Sequence, residues 1–224
     1  MPAILSPRGV CMYVPSHFEE AEVDILHDLI SCHPFGVLVT YGIDGLDANH
    51  IPFELDKGEG ALGVLRAHVA RANPLWRNVS DGDEVLAIFQ AGDAYISPNW
   101  YPSKHESHKQ VPTWNYKVAH AYGRIVVKDD ERTVRGIVAR LTKSHEVSQP
   151  VPWKMSDSPK AFIDTMVKAI VGIEIHVTRL MGKSKLSQNR EPRDIRGAAL
   201  ALKNQGDHLI ADAMLACASA KEER

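Results

Sequence analysis

FGVLVTYGIDGLDANHIPFELDKGEGALGVLRA, residues 35–67, is the stretch whose reading decides the fold. Phe35 to Tyr41 is rich in β-formers, GIDG at 42–45 is turn chemistry, and Leu46 to Leu55 reads as the returning strand. DKGEG at 56–60 is a second turn, and Ala61 to Ala67 a third strand. Upstream, Phe18 to Ser31 reads as an amphipathic helix, with Val23, Leu26, Leu29 and Ile30 on one face, and Pro34 stops it. Downstream come a short helix over Arg71–Val79, strands over Glu84–Gln90 and Ala94–Ser97, and a polar loop over Ser103–Gln110. Val118 to Lys128 reads as a strand. Asp129 or Asp130 then caps a helix whose stripe is Val134, Ile137, Val138 and Leu141. Ser158-Pro159 starts another helix running to about Lys168, because proline at the first helical position gives up only an orphan donor. Val171 to Leu180 alternates as a half-buried final strand, and Ala-rich helices follow near Pro192–Asn204 and Asp207–Ala218. Many short strands with helices at the edges and end predict an α+β fold. It is an antiparallel β-barrel with helices packed on it, without the βαβα alternation of a doubly wound sheet.

The 224 residues suit one domain with an appendage or one domain plus a small second one, and 44% hydrophobic residues supply a sizeable core. A formal charge of −2 gives no global pull toward nucleic acid, so any DNA contact needs a local basic patch. Cys11, Cys32 and Cys217 lie far apart with no CxxC, which implies reduced thiols in a cytosol rather than a disulfide framework. No apolar run reaches the length of a membrane span, and residues 1–11 lack the apolar core of a secretory signal.

Three segments carry candidate chemistry. Arg66 to Trp76 (RAHVARANPLW) sits at a strand-to-helix junction, where Arg66, His68, Arg71 and Asn73 suit a phosphate monoester. The same residues also fit a surface turn with solvated arginines. YISPNWY (95–101) and VPTWNY (111–116) are dense in aromatics. Trp100, Tyr101, Trp114 and Tyr116 offer flat faces, and Thr113 and Asn115 polar contacts, for a planar cofactor or equally for a core or dimer interface. GKSKLSQNR (182–190) is no Walker A motif, since Val177 stands where glycine is required. It belongs to a run, Arg179–Arg196, with six basic residues against two acids, which suits an anion, a nucleic-acid patch or a solvated face. HESH at 105–108 lacks metal-ligand spacing, and GxGxxG is absent.

In order and spacing, MYVPSHF (12–18), HIPF (50–53), HVARANPLW (68–76), YISPNWYP (95–102), VPTWNY and GKSKLSQNR resemble the PaiB family of FMN-binding negative transcriptional regulators. The resemblance covers residues 12 to about 205. It implies a split barrel related to pyridoxamine phosphate oxidase, with FMN at a homodimer interface in a cytoplasmic protein. It divides the chain into an extension (1–11), the FMN-binding barrel (12–190) and a C-terminal helical segment (191–224). Carried over, His68, Arg71 and Asn73 surround the FMN phosphate, with Arg66 beside them. Thr113, Trp114 and Asn115 approach the ring, and Lys183, Lys185, Ser187 and Gln188 close the site, from either subunit. The family also implies DNA binding. Yet the second of the two C-terminal helices offers only His208 and Lys221 against Asp207 and Asp212, a poor groove-reader. Flavin-dependent redox or haem-degrading chemistry, which needs no dedicated acid–base pair, and a ligand-free structural dimer are the other readings.

Overall fold

The structure, a computed structural model, describes residues 12–43 and 45–223; the 1–11 extension with Cys11, and Asp44 of the GIDG turn, lie outside it. The quoted stretch folds as a meander, but the returning strand read over Leu46–Leu55 is two strands, the second paired to the strand that follows it and not to the first. Strands β2 (Phe35–Gly42) and β3 (Gly45–Pro52), after a two-residue β1 (Glu19–Glu20), form a hairpin in register Tyr41↔Leu46. Gly45 takes the positive φ of 97° that this tight loop demands. β4 (Glu54–Asp56), β5 (Val64–Ala70), β6 (Glu84–Ile96), β7 (Thr113–Lys128) and β8 (Ile170–Lys185) complete one antiparallel sheet in the order β3-β2-β6-β7-β8-β5-β4, with β1 paired to β8. This is the split barrel with peripheral helices expected from the sequence.

Three further strands run longer than read, β7 from Thr113 rather than Val118 and the other two through bulges. Glu84–Gln90 and Ala94–Ser97 belong to one strand, β6, interrupted by a bulge between Gln90 and Asp93 where Gly92 has φ 76°. β8 runs to Lys185 rather than Leu180. Between the pairs Gly123↔Val177 and Tyr122↔Arg179 the register shifts, so Thr178 is an extra residue and the side-chain alternation changes phase there. A period-2 pattern read along the chain ends at such a point although the strand does not.

One face of the sheet points into the core. Leu38, Leu65, Ala67, Ala87, Phe89, Ala119, Ala121, Ile125, Ile173 and Ile175 line it, and helix α1 (Val23–Cys32) closes it with Leu26, Leu29 and Ile30. Burying those three side chains contributes about 1.5–3 kcal/mol each. Gly182 lets α1 approach, since a Cβ there would collide with Leu26 and with the Glu20 carbonyl. After α2 (Leu75–Asn78) and α3 (Pro102–Ser107), helix α4 (Glu131–Glu146) covers β5 and β8, seated by Ile137 over Gly172. α5 (Lys160–Lys168) packs beside it through Val134, Ile163 and Val167. Helices α6 (Pro192–Asn204) and α7 (His208–Glu222) build a second core with Ala94, Ile96, Tyr101 and Leu186, at the far ends of β6 and β8. Ser103–Gln110, expected as a loop, contains α3 because Asp194 of α6 accepts hydrogen bonds from the Ser103 N–H (2.9 Å) and hydroxyl (2.6 Å). A tertiary cap of this kind is invisible in local sequence.

The other face of the sheet is different. Phe35, Val37, Val39 and Tyr41 of β2, Leu46, Ala48 and His50 of β3, Leu86 and Ile88 of β6, and Val118, His120 and Tyr122 of β7 alternate away from the core. They are left exposed or half-buried, and no described helix covers them. Monomeric proteins rarely leave an apolar sheet face this broad to water.

The bulge that redirects β8 depends on Gly123, where an added Cβ would stand 2.6 Å from the His176 carbonyl oxygen. Gly123→Ala is expected to cost about 1–3 kcal/mol, read as a lower urea midpoint with unchanged slope; an unaltered midpoint would mean that the strand crossing has slack.

Candidate functional site

The eleven candidate residues fall into three groups that lie apart. Arg66, on β5, is 6% exposed and saturated with carboxylates. Its Nε donates to Glu174 (2.9 Å) and Nη1 to Asp56 (2.9 Å), Nη2 donates to Glu59, and Lys128 adds a second cation to Glu174 at 3.2 Å. Burial opposes the charge on Glu174, but hydrogen bonds from Arg66 and Lys128 outweigh it and hold its carboxyl below the usual range. All three nitrogens of this guanidinium are engaged by carboxylates, so its charge is already matched inside the barrel.

The second group is the junction after β5. Arg71 grips Asp129 with both terminal nitrogens, one at 3.0 Å, and its Nε donates to the Lys168 carbonyl at 2.7 Å. The guanidinium also lies 5.7 Å over the Trp76 ring. Asn73 bridges to Asn49 of β3 (2.7 Å) and accepts from the Leu75 N–H (2.9 Å). The backbone donors expected to be free here are taken: Arg71 N–H by Ala169 and Asn73 N–H by Ala70. The helix that follows, α2, is a single turn. His68 is the exception. Its Nδ1 is buried without a hydrogen-bond partner, and burial pushes its pKa below that of an ordinary histidine.

The third group stands at the far end of β7 and β8. Here the uncovered face turns aromatic and basic. Tyr95 and Trp114, paired in register, meet edge to face at 5.9 Å, and Trp114 is 54% exposed. Tyr116 follows on the same side opposite Lys185, and Val118 opposite Lys183. The Lys183 ammonium donates to the Tyr13 carbonyl (3.0 Å) and lies 5.4 Å from the Tyr116 ring centre. Lys185 donates to the Thr113 hydroxyl. Burial, with the charges of Lys183 and Arg190, pushes the Lys185 ammonium below an ordinary lysine. Asn115 and Ser187 point the opposite way. Asn115 is fully buried, donating to Ser187 Oγ (3.0 Å) and Met214 Sδ (3.3 Å), while Gln188 folds back onto the backbone of Ser184 and Leu186. These three lie on the opposite side of the sheet end from Trp114 and Tyr116 or are folded onto the backbone.

The second and third groups are far apart within one chain. His68 is level with Gly172 on β8, and Tyr116 with Lys185, 13 residues on (185 − 172), or about 40 Å along the strand. The basic run 179–196 is likewise dispersed. Arg179 stacks on Tyr122 (3.8 Å) and Arg190 on Tyr101 (5.5 Å), and Arg193 and Arg196 pair with Glu106 and Glu222. Among the described residues no cluster of His, Cys, Asp or Glu could hold a metal, and no helix is long and apolar enough to cross a membrane.

The family model described as "Putative FMN-binding domain" matches residues 12–179. A Bacillus subtilis protein named protease synthase and sporulation protein PAI 2 is 31% identical over 87% of this chain and 90% of its own length. The chain belongs to the PaiB-type FMN-binding family. An uncharacterized Emericella nidulans protein is 34% identical over 87% of this chain and 92% of its own. Among solved structures, the FAD and heme binding protein of Mycobacterium smegmatis superposes with a TM-score of 0.56 at 15% identity, covering 75% of this chain and 73% of that one. The flavocytochrome Anf3 of Azotobacter vinelandii gives 0.51 at 10%, over 77% and 72%. At these identities the likeness is one of fold, and it is the split barrel.

Within this PaiB-type fold, sequence reasoning missed Tyr95, Tyr13 and His120 as neighbours of the site face. Strand parity was the available signal: once Trp114 faces outward, its register partner Tyr95 must as well. The Arg66 cluster belongs to the barrel's stability. Arg66→Met is expected to cost about 3–5 kcal/mol, because it removes the buried partner of Glu174 and leaves only the more exposed Lys128 beside it, and the Arg66→Met/Glu174→Met double variant to recover most of that in urea titrations. Because the folded carboxyl of Glu174 is depressed, its contribution is present above the unfolded value near ~4.3 and is lost as pH falls through its folded pKa. A wild-type acid limb indistinguishable from that of the double variant would refute this.

Proposed function

We propose that this chain is a cytoplasmic homodimeric flavoprotein that binds FMN in two shared sites and works as a redox protein. The observation that carries the reading is the uncovered sheet face ending in Tyr95, Trp114, Tyr116, Lys183 and Lys185. Flat faces suit a planar ring, and two lysines suit its electron-rich edge. A second copy is the occupant that the apolar part of the face fits. Its area spans four strands, and His120 on it holds a buried Nδ1 that finds no partner among the described residues. Burial keeps His120 neutral near pH 7 by lowering its pKa, so it enters such an interface without a charge to desolvate. Antiparallel packing of two such faces brings the His68–Arg71–Asn73 corner of one subunit to the aromatic–basic end of the other. One subunit alone cannot do this across about 40 Å of strand. Free thiols at Cys32 and Cys217 accord with a reducing compartment.

FMN supplies one- and two-electron transfer when bound. The chain's own residues bind and orient it: Trp114 and Tyr95 shield a ring face from water, Lys183 and Lys185 place positive charge beside it, and Arg71 and Asn73 of the second subunit hold the phosphate. DNA reading has less to rest on. In the α6–α7 hairpin, Arg196 and Lys203 pair with Glu222 and Asp212, and Lys221 donates to the carbonyls of Gln188 and Arg190.

Purified protein is expected to sediment as a dimer and to bind one FMN per chain. Trp114→Ala and Lys185→Ala should each weaken binding about ten- to hundredfold, the worth of one stacked or charge-assisted contact. Arg71→Ala should do the same. Mixing Arg71→Ala with Lys185→Ala chains should restore one tight site in each mixed dimer, because both lesions then fall in the other site. Tight FMN on a monomer, or no rescue on mixing, sinks the shared site. Affinity should also fall as pH rises through the Lys185 pKa, at a value below the ~10.4 of free lysine.

A further inference from the structure

The segment after α4 stands off that helix. Its Trp153 N–H donates to Glu146 Oε2 (2.8 Å) and its Lys154 N–H to Asp157 Oδ2 (2.9 Å), so the strap from Val147 to Lys154 is fastened at its far end. Between strap and helix lies a groove of about 440 Å³, floored by Ala139, Thr142 and Met155 and walled by Val147, Pro152 and Trp153. Its surface is mostly apolar, and Trp153 stays 40% exposed. Lys143 and Lys154 stand in its lining. Elsewhere on this helical layer some cations are matched, Arg135 to Glu131 and Asp164, Arg140 to Glu54, and Lys160 to Asp164, while Arg132 and Lys168 form no ion pair among the described residues. Lys143 and Lys154 have no ion pair among the described residues. The one carboxylate beside them, Glu146, accepts from the strap backbone.

We propose that this groove is a second binding site and that it takes an aromatic carboxylate. The volume falls in the range of small-molecule pockets rather than of flat protein interfaces. The apolar floor and the indole wall fit a planar ring, and two unmatched ammonium groups at the lining fit one anionic headgroup. A cationic ligand would meet the lysines. A neutral one would leave them as they are and gain nothing from them. The groove is built from the C-terminal half of α4 and its strap and shares no residue with the flavin site.

Equilibrium dialysis of the full-length dimer against 2-naphthoate, with 2-naphthylmethanol as the neutral counterpart, tests this. Naphthoate should bind saturably, one per chain, and about tenfold more tightly than the alcohol, as two exposed ion pairs allow. Lys143→Gln/Lys154→Gln should erase that preference and leave alcohol binding unchanged. Ala139→Phe, which fills the floor, should abolish both while FMN binding and the melting temperature hold. The proposal is overturned by absence of saturable naphthoate binding below about 1 mM, a weak threshold for a built site. Unchanged binding to Ala139→Phe, or displacement of naphthoate by FMN, would overturn it too, the last by placing the probe in the flavin site.

Discussion

The antiparallel pairing of β7 with β8 is the constraint on which the rest of the molecule depends. These two strands, each 16 residues long, are the spine of the sheet, and their alternation decides which side chain sees the core and which sees the site. Toward Lys128 and Ile170 they carry Ile125, Ile173 and Ile175 inward. Past the bulge opposite Gly123 the phase of β8 shifts by one, so that Lys185, and Lys183 held under Tyr13, join Val118, Tyr116 and Trp114 on the side away from the core. Without that extra residue the lysines would be directed into the second core, where an unpaired ammonium costs several kcal/mol. One inserted residue therefore lets the same pair of strands be a core wall at one end and a binding face at the other.

The fold was largely legible because its signals are local. Apolar alternation in FGVLVTY, turn residues in GIDG and DKGEG, and Asp130, whose carboxylate caps α4 through the Thr133 N–H at 2.9 Å, all act within a few residues. What escaped was set by distant partners. α3 depends on Asp194, 91 residues from Ser103, and the unity of β6 depends on a glycine bulge lying under Leu209 and Ile210. No window on the chain contains both halves of such a contact.

For the site, composition was legible and partnership was not. Arginines 66 and 71 are right for an anion by type, yet Glu174 and Asp129, 108 and 58 residues away, already hold them. Arg66 has become a structural cation, buried and matched, and only Arg71 keeps enough exposure, 37%, to serve two partners. Lys183 and Lys185 look equally ordinary in sequence. They differ because their contacts are a carbonyl, a hydroxyl and aromatic faces, none of which cancels a charge. A cation facing dipoles and rings keeps its whole field for an anionic ligand, whereas one shared with a carboxylate, like Arg71, offers only part of it.

The position of Asn115 shows how the C-terminal helices take part. It lies on β7 between Trp114 and Tyr116, faces inward, and spends its amide on Ser187 and on Met214 of α7. Ser187 itself sits at φ 67°, a backbone state that a non-glycine residue holds only when its surroundings fix it. Tyr101, whose hydroxyl lies 3.4 Å from the Ser187 hydroxyl, closes the trio. This buried knot ends β8 directly after Lys185 and turns the chain back toward α6. The barrel core does not reach that far along the strands, so the rigidity of the aromatic–basic end comes from the second core. The helical hairpin thus acts on the aromatic–basic end from the reverse side of the sheet, through Asn115 and Ser187.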